Sequence, residues 1–208
     1  MKVRLAQHPL AERTAGQDAP GEEETVWVER LSPCHGRLVS APCFEVGLEY
    51  GDLVLFDGAP ITSHEVNGRK VPVFPHLATL RRCGWRVFPF VATQQRSGQI
   101  AEISSQLPGD TVLYVHTEQV RVLCEKCWAN GADSHHHDHG DERTTTKTVR
   151  GKFCVDPTQD LAVVDRALSA FLKGQPELRV VSPDLARALG DPQRAKREER
   201  EFEVLATT

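Results

Sequence analysis

A strand runs directly into a helix in the segment Phe153–Gly174, which reads FCVDPTQDLAVVDRALSAFLKG. Its first three residues are apolar and favour a strand, and Asp156-Pro157-Thr158-Gln159 resembles a capping box with proline in the first helical turn. The apolar residues that follow recur at helical spacing and are Leu161, Val164, Leu168, Phe171 and Leu172. We therefore predict a helix that starts at this box, ends before Gly174 and buries one apolar face.

The chain on either side of this helix alternates between strands and helices. Strands are predicted at residues 85–91, 111–115, 120–123, 144–156 and 178–181, from apolar and β-branched runs between turn residues. A helix is predicted after Ser97, because Ile100, Ile103 and Leu107 share one helical face before Pro108. The resulting order is β, α, β, β, α, β, which predicts a ferredoxin-like arrangement.

The sequence before residue 81 is rich in strand patterns. Short alternating runs occur at residues 25–31, 37–39, 43–46 and 51–58, and Asn67-Gly68 is typical of a tight hairpin turn before residues 70–73. Residues 9–24 are polar and rich in turn formers, which predicts a mobile loop. These patterns indicate a small curled sheet or a partial barrel.

The fold class that follows is α+β. We predict a β-rich N-terminal part at residues 1–80, a ferredoxin-like domain at residues 81–185 and a charged C-terminal tail at residues 186–208. The ferredoxin-like domain carries a Cys/His-rich hairpin insertion at residues 124–143. In the tail, basic and acidic residues alternate between Arg194 and Glu203, which is typical of a solvated helix with i,i+4 ion pairs.

Composition disfavours several classes of function. The 208 residues are 39% apolar, which is enough for a core, and a net charge of -4 gives no basic footprint for nucleic acid. A secretory h-region and a membrane-length apolar run are both absent from the sequence, so we expect a cytoplasmic protein without a membrane partner. The 6 cysteines are too unevenly spaced for a disulfide scaffold, which leaves buried thiols or metal ligands.

Metal-binding side chains are concentrated between Cys124 and His139. The Cys124-x2-Cys127 turn supplies two thiolates, and we take His137 and His139 as the nitrogen ligands of a Zn2+ ion. The sequence does not choose firmly among the donors, and the alternative ligands are His135, His136 and Cys154. We expect a structural zinc ion that closes an insertion too long and polar to stay ordered otherwise.

Three other interpretations of this segment stay open. A catalytic zinc would keep one position for water and use Asp138, Asp141 or Glu142 as general base. The histidines could instead bind transition metals weakly and reversibly, as in a sensor or store, or the segment could be solvated without any metal.

Two weaker candidates favour structural roles. The spacing of Cys34, His35 and Cys43 would suit half of a second metal site, but such residues at strand ends are usually simply buried. His116-Thr117-Glu118 is interpreted as turn and surface, because no partner nucleophile can be identified. The glycines are isolated turn residues, which disfavours a phosphate loop and nucleotide cofactors.

Several short signatures resemble an uncharacterised bacterial domain-of-unknown-function family. They are Thr25-Val26-Trp27-Val28-Glu29, Ala41-Pro42-Cys43-Phe44, Tyr50-Gly51-Asp52-Leu53-Val54 and Val155-Asp156-Pro157. The resemblance covers most of residues 2–182 and implies a fold without a known activity. The Cys/His segment does not belong to that family's pattern.

The first functional hypothesis is a non-enzymatic protein-binding module of the accessory, regulatory or immunity type, which recognises another protein. The second is a zinc-dependent hydrolase that uses Cys124, Cys127 and one or two histidines as metal ligands. A metal sensor or store is the third. A small-molecule substrate is not indicated by any motif.

Overall fold

The computed structural model describes residues 1–14, 23–116 and 148–206. These residues divide into two compact units, residues 1–84 and residues 85–116 with 148–206. Each unit has its own cluster of buried apolar side chains. The two units are therefore described separately.

The first unit is built from strands. In chain order they are β1 (Lys2–Ala6), β2 (Glu23–Arg30), β3 (His35–Leu38), β4 (Leu53–Phe56), β5 (Thr62–Val66) and β6 (Arg69–Arg81), with a 3-10 helix at Leu10–Glu12 after β1. Neighbours pair in the order β1-β2-β3-β4-β6, and β6 returns to pair with β1. The ring is therefore a closed, mixed barrel, since only the β1–β6 pairing is parallel.

Alternation along the strands fills this barrel. Val26 and Val28 on β2 are both 2% exposed, whereas Trp27 between them lies on the other side. The loop between β3 and β4 contributes Val46 and Leu48 to the same core. The strand predicted at residues 43–46 is wrong, because the backbone N–H groups of Cys43 and Phe44 donate to the Glu24 carboxylate instead of to a neighbouring strand.

Two turns of the first unit follow the sequence closely. Asn67 and Gly68 have φ of 51° and 72°, and they join β5 to β6 with Val66 opposite Arg69, so the predicted hairpin is confirmed. The Asp52 carboxylate accepts hydrogen bonds from the N–H groups of Glu49 and Cys83. This buried acid fixes the start of β4.

The second unit is one antiparallel sheet with helices. Its elements are β7 (Arg86–Thr93), a 3-10 helix (Ile100–Ser105), β8 (Thr111–Val115), β9 (Thr148–Val155), α1 (Leu161–Lys173), β10 (Arg179–Val181), α2 (Pro183–Ala188) and α3 (Pro192–Ala206). The strand order is β10-β7-β9-β8. Phe88 and Phe90 of β7 pack with Phe153 of β9 and with the apolar face of α1, which Val164, Leu168 and Phe171 form.

The helices of this unit depart from the prediction in two places. The segment after Ser97 forms a 3-10 helix and not an α-helix, so the described residues contain no clear ferredoxin-like βαββαβ unit. Ile100 and Ile103 are fully buried as expected, because i,i+3 spacing puts them on one face of either helix type. Helix α1 begins at Leu161 with Asp160 as N-cap, which accepts from the Ala162 N–H.

Asp156, the predicted cap, instead closes a turn. Its carboxylate accepts hydrogen bonds from the hydroxyl and the N–H of Thr158, and these bonds lower the pKa of Asp156. The chain therefore turns once more before helix α1 begins.

The mixed-charge tail is helix α3, and part of its polar face is buried. Arg194 donates to Glu198 at 2.6 Å and to Asp165 at 2.7 Å, and Glu198 also accepts from the Ser182 N–H at 2.8 Å. Burial alone would lower the pKa of Arg194, but its two carboxylate partners raise it above the ordinary value. The i,i+4 pair is present as predicted, although Glu198 is only 6% exposed.

Candidate functional site

The preferred zinc ligands lie outside the described residues. Cys124, Cys127, His137 and His139, with the alternatives His135 and His136, all belong to residues 117–147. The structure does describe the two strands that this segment connects. β8 and β9 are antiparallel neighbours, paired from Thr111↔Val155 to Val115↔Gly151, so the segment leaves and re-enters at the same end of one ladder.

Cys154 is the one alternative ligand that the structure describes. It is fully buried on β9, opposite Val112 of β8 and Val87 of β7. It lies three residues beyond Gly151, which is about 10 Å along the strand from the end of the ladder. A ligand set that includes Cys154 would require the metal segment to fold back along the sheet.

His116 is the last residue described before the metal segment. It is 7% exposed, and its ring meets that of Tyr114 edge-on at a centroid distance of 5.2 Å. The interpretation of His116 as a surface residue is therefore wrong.

The second cysteine pair lies at the surface of the first unit. Cys34 is half-buried, and His35 and Cys43 are exposed, so the expectation that all three are buried is wrong. The N–H groups of Cys34 and His35 donate to the Ser32 hydroxyl in the turn between β2 and β3. Within the described ranges, no three His, Cys, Asp or Glu side chains are grouped as metal ligands would be.

Sequence reasoning missed a cavity in the first unit. It has a volume of about 220 Å³ and is lined by β1, β6 and the 3-10 helix between β1 and β2, with Arg4, Leu10, Arg13, Glu23, Asp57 and His76 among its walls. A water molecule occupies about 30 Å³ in the liquid, and pockets for drug-sized ligands begin near 300 Å³. The cavity therefore has the size of a small metabolite.

Backbone pairing positions the walls of this cavity. β1 and β6 run parallel with Arg4 opposite Pro75, and the 3-10 helix is tied to β6 because Glu12 accepts from the Thr79 N–H. Arg13 follows this helix, and its Nε donates to the His8 carbonyl at 2.9 Å. Two arginines are thereby brought to one opening.

His76 is a buried polar residue on the inner face of β6, opposite Phe56 of β4. It is 5% exposed, and neither Nδ1 nor Nε2 has a hydrogen-bond partner in the structure. Burial lowers the pKa of His76, because the charged ring loses its water. The carbonyls of Ala78 and Ala6 and the Glu12 carboxylate oppose this shift, but none of them forms a hydrogen bond with a ring nitrogen. A neutral imidazole at pH 7 thus leaves one donor and one acceptor unmet.

The sequence contained a weak signal for His76. Residues 73–77 read Val-Phe-Pro-His-Leu, and strand alternation puts Phe74 and His76 on one face. Since Phe74 belongs to the barrel core, its neighbour on that face is directed inward as well. An imidazole in this position is a polar group in an apolar row.

No family model, curated protein or solved structure matches this chain. The resemblance to a domain-of-unknown-function family therefore stays a prediction. Across the part of the chain that the structure describes, every helix is too short or too polar to cross a bilayer.

Proposed function

We propose that the protein is a non-enzymatic protein-binding module in which a structural Zn2+ ion, held by Cys124, Cys127, His137 and His139, closes the segment between β8 and β9. The observation that carries the zinc proposal is the antiparallel pairing of these two strands. A long connection between adjacent strand ends gains order from a single cross-link, and a closed site of four protein ligands supplies one.

The sheet that carries this segment supports a finer fold proposal. β9 lies between β7 and β8 and is antiparallel to both. The connection from β7 to β8 therefore crosses over the position that β9, the next strand in the chain, occupies in the sheet. We infer a ferredoxin-like unit whose first helix is shortened to the 3-10 helix at Ile100–Ser105.

The binding part of the proposal rests on an exposed aromatic residue. Phe44 is 50% exposed, and its N–H donates to Glu24 Oε2 at 2.9 Å, so the backbone beneath the ring is held in place. Val46, two residues later, is 4% exposed and anchors the same loop in the barrel core. A rigidly presented aromatic side chain is typical of an interface anchor, because little conformational entropy is lost on binding.

Elemental analysis of tag-free protein tests the zinc site. We expect about one zinc per chain in the wild type and in a Cys34→Ser/Cys43→Ser control, and none in Cys124→Ser/Cys127→Ser. Metal-free wild type, or equal zinc in the three proteins, would show that the proposed ligands are wrong.

Cobalt substitution separates the structural site from its alternatives. Four protein ligands give a closed tetrahedral spectrum that added anions leave unchanged. A zinc-dependent hydrolase with Asp138 or Glu142 as base would instead hold water, and anions would perturb its spectrum. Metal lost on simple dialysis would support the sensor or store.

The aromatic anchor is tested by affinity capture with purified full-length chain. Proteins retained by the wild type and by Val204→Ala, but not by Phe44→Ala, would support the proposal. Val204 is the control because it is 65% exposed and lies in the second unit. Identical retention by Phe44→Ala and wild type would contradict it.

A further inference from the structure

Helix α3 and the sheet enclose an apolar groove in the second unit, at the C-terminal end of the helix. The groove has a volume of about 400 Å³, and most of its lining is apolar. Val204 is 65% exposed at this groove. Its walls are Arg200, Glu201, Val204 and Leu205 of α3, with Thr93 of β7 and Arg179 of β10. Pockets that hold ligand groups begin at about 300 Å³, so a space of this size can take a large apolar side chain.

Two arginines of α3 near this groove keep an uncompensated charge. Arg197 is four residues before Glu201, which is the spacing of a helical ion pair, but Glu201 pairs with Arg179 of β10 at 2.5 Å instead. Among the residues that the structure describes, neither Arg197 nor Arg200 forms an ion pair or a side-chain hydrogen bond. Both side chains are exposed. Two guanidinium groups are therefore open to carboxylates of a partner.

Helical geometry places both arginines in line with the exposed valine. Arg197, Arg200 and Val204 are spaced i, i+3 and i+7, so they follow one side of α3. Glu203, the exposed acid nearest this row, lies about 90° around the helix from its centre. From Val204, Arg200 is about 6 Å and Arg197 about 10 Å along the helix axis. An extended peptide rises about 3.3 Å per residue, so acidic residues two and three positions from its apolar residue would reach these arginines.

We propose that this groove binds an acidic segment of another protein, with an apolar side chain in the groove and carboxylates at Arg200 and Arg197. Charge complementarity carries the partner's chemistry, because a guanidinium group binds a carboxylate through two parallel hydrogen bonds. Lys196 brings the exposed cations here to three, fewer than nucleic-acid binding typically uses. A concave apolar lining fits a side chain and not a phosphate backbone. The groove is separate from Phe44 and from the zinc segment, and the proposal depends on neither.

Binding is tested by titrating full-length protein with the capped peptides Ac-Asp-Glu-Gly-X-NH2 and Ac-X-Gly-Glu-Asp-NH2, where X is Leu, Phe or Trp. The methyl resonances of Val204 and Leu205 are recorded by 13C NMR. We expect at least one peptide to saturate and to shift these resonances. Replacing its two acids with Asn and Gln, or X with Ser, should weaken binding by about tenfold or more, because each change removes one of the two kinds of contact.

A charge reversal assigns the two arginines. Arg197→Glu/Arg200→Glu should weaken binding of the acidic peptide by about tenfold or more, and it should gain binding of the counterpart with Lys in place of both acids. This gain separates a charge contact from damage to the fold. Arg166→Glu is the matched control, because Arg166 is an exposed arginine of the same unit that does not line the groove. It should bind both peptides like the wild type.

Three results would overturn the proposal. One is that no peptide moves the Val204 and Leu205 resonances at any concentration up to solubility. Another is that the Asn/Gln or the Ser counterpart binds as tightly as its parent peptide. The third is that these resonances move with protein concentration alone, or with a thymidine oligonucleotide in place of any peptide, which would give the groove a different occupant. In the capture experiment, a partner of this groove is one that Val204→Ala loses and Phe44→Ala keeps, so failure of either surface is seen separately.

Discussion

Two buried polar side chains, one in each unit, differ in how their hydrogen-bonding groups are used. In the second unit Glu198 is 6% exposed, and both its oxygens are used, one by Arg194 and one by the Ser182 N–H. In the first unit His76 is 5% exposed, and neither ring nitrogen is satisfied. A satisfied buried group stabilises the fold, whereas an unsatisfied one lowers its stability.

The largest effect is expected when the satisfied group is removed. Glu198→Ala leaves the Ser182 N–H and one side of Arg194 without a partner, and should lower the free energy of unfolding by about 3 kcal/mol. Urea unfolding measures the change. Glu199→Ala is the control, since Glu199 makes an exposed ion pair with Arg187 and should cost less than about 1 kcal/mol. Equal losses would show that the buried network has no special role.

Close packing around glycine gives a second comparison. A Cβ on Gly151 would lie 2.1 Å from the backbone oxygen of Tyr114, but one on Gly36 of β3 would meet the Val28 side chain at 2.2 Å. The nearest backbone atom to a Cβ on Gly36 is the Glu29 oxygen at 3.0 Å, well beyond the 2.1 Å at Gly151, so Gly151→Ala should cost about 2–3 kcal/mol and Gly36→Ala less.

Gly109→Ala serves as the control for both glycine variants. A Cβ there meets nothing within 4 Å, so its unfolding midpoint should stay close to that of the wild type. A larger loss from Gly36→Ala than from Gly151→Ala would mean that the barrel is the more rigid unit.

Removing the unsatisfied group should have the opposite sign. His76→Phe replaces an unmet donor and an unmet acceptor with an apolar ring, so we expect a gain of about 1 kcal/mol in stability. A destabilised His76→Phe protein would indicate that the imidazole is a structural group whose bonds are made after all.

The smallest effect is a pH dependence that follows from His76. Its folded pKa is lowered from 6.5, so the unfolded chain binds the proton more tightly. The contribution to stability is complete above pH 6.5 and decreases as the pH falls from there toward the lowered value. Glu12 is the charged group that opposes this lowering.

The pH effect is measured as unfolding midpoints between pH 7 and pH 5. The wild type should lose more stability over this interval than His76→Phe, which shares every other titrating group. Parallel curves would show that His76 keeps an ordinary pKa.

Local patterns predicted the local structure well. The apolar stripe from Leu161 to Phe171 gives helix α1, and Asn67-Gly68 gives the hairpin, because each depends on residues a few positions apart. The spacing of Ile100 and Ile103 fits an α-helix and a 3-10 helix equally, so the helix type could not be chosen. Helix α1 starts later than predicted because Asp156 caps a turn first.

The sequence patterns could not predict which strands pair when those strands are far apart in the chain. The barrel closes through the parallel pairing of β1 with β6, whose partners Val3 and Phe74 are far apart in the chain. The burial of Glu198 and His76 likewise depends on which elements cover them. By residue type alone, a glutamate is expected to be exposed and a histidine to be of intermediate burial.

The most direct test of the contrast between Glu198 and His76 is the 15N spectrum of the His76 imidazole, recorded at intervals from pH 7 to pH 5. The account predicts a neutral ring at pH 7, which takes up its proton only below pH 6.5. A charged ring at pH 7, or a titration midpoint at or above pH 6.5, would contradict it.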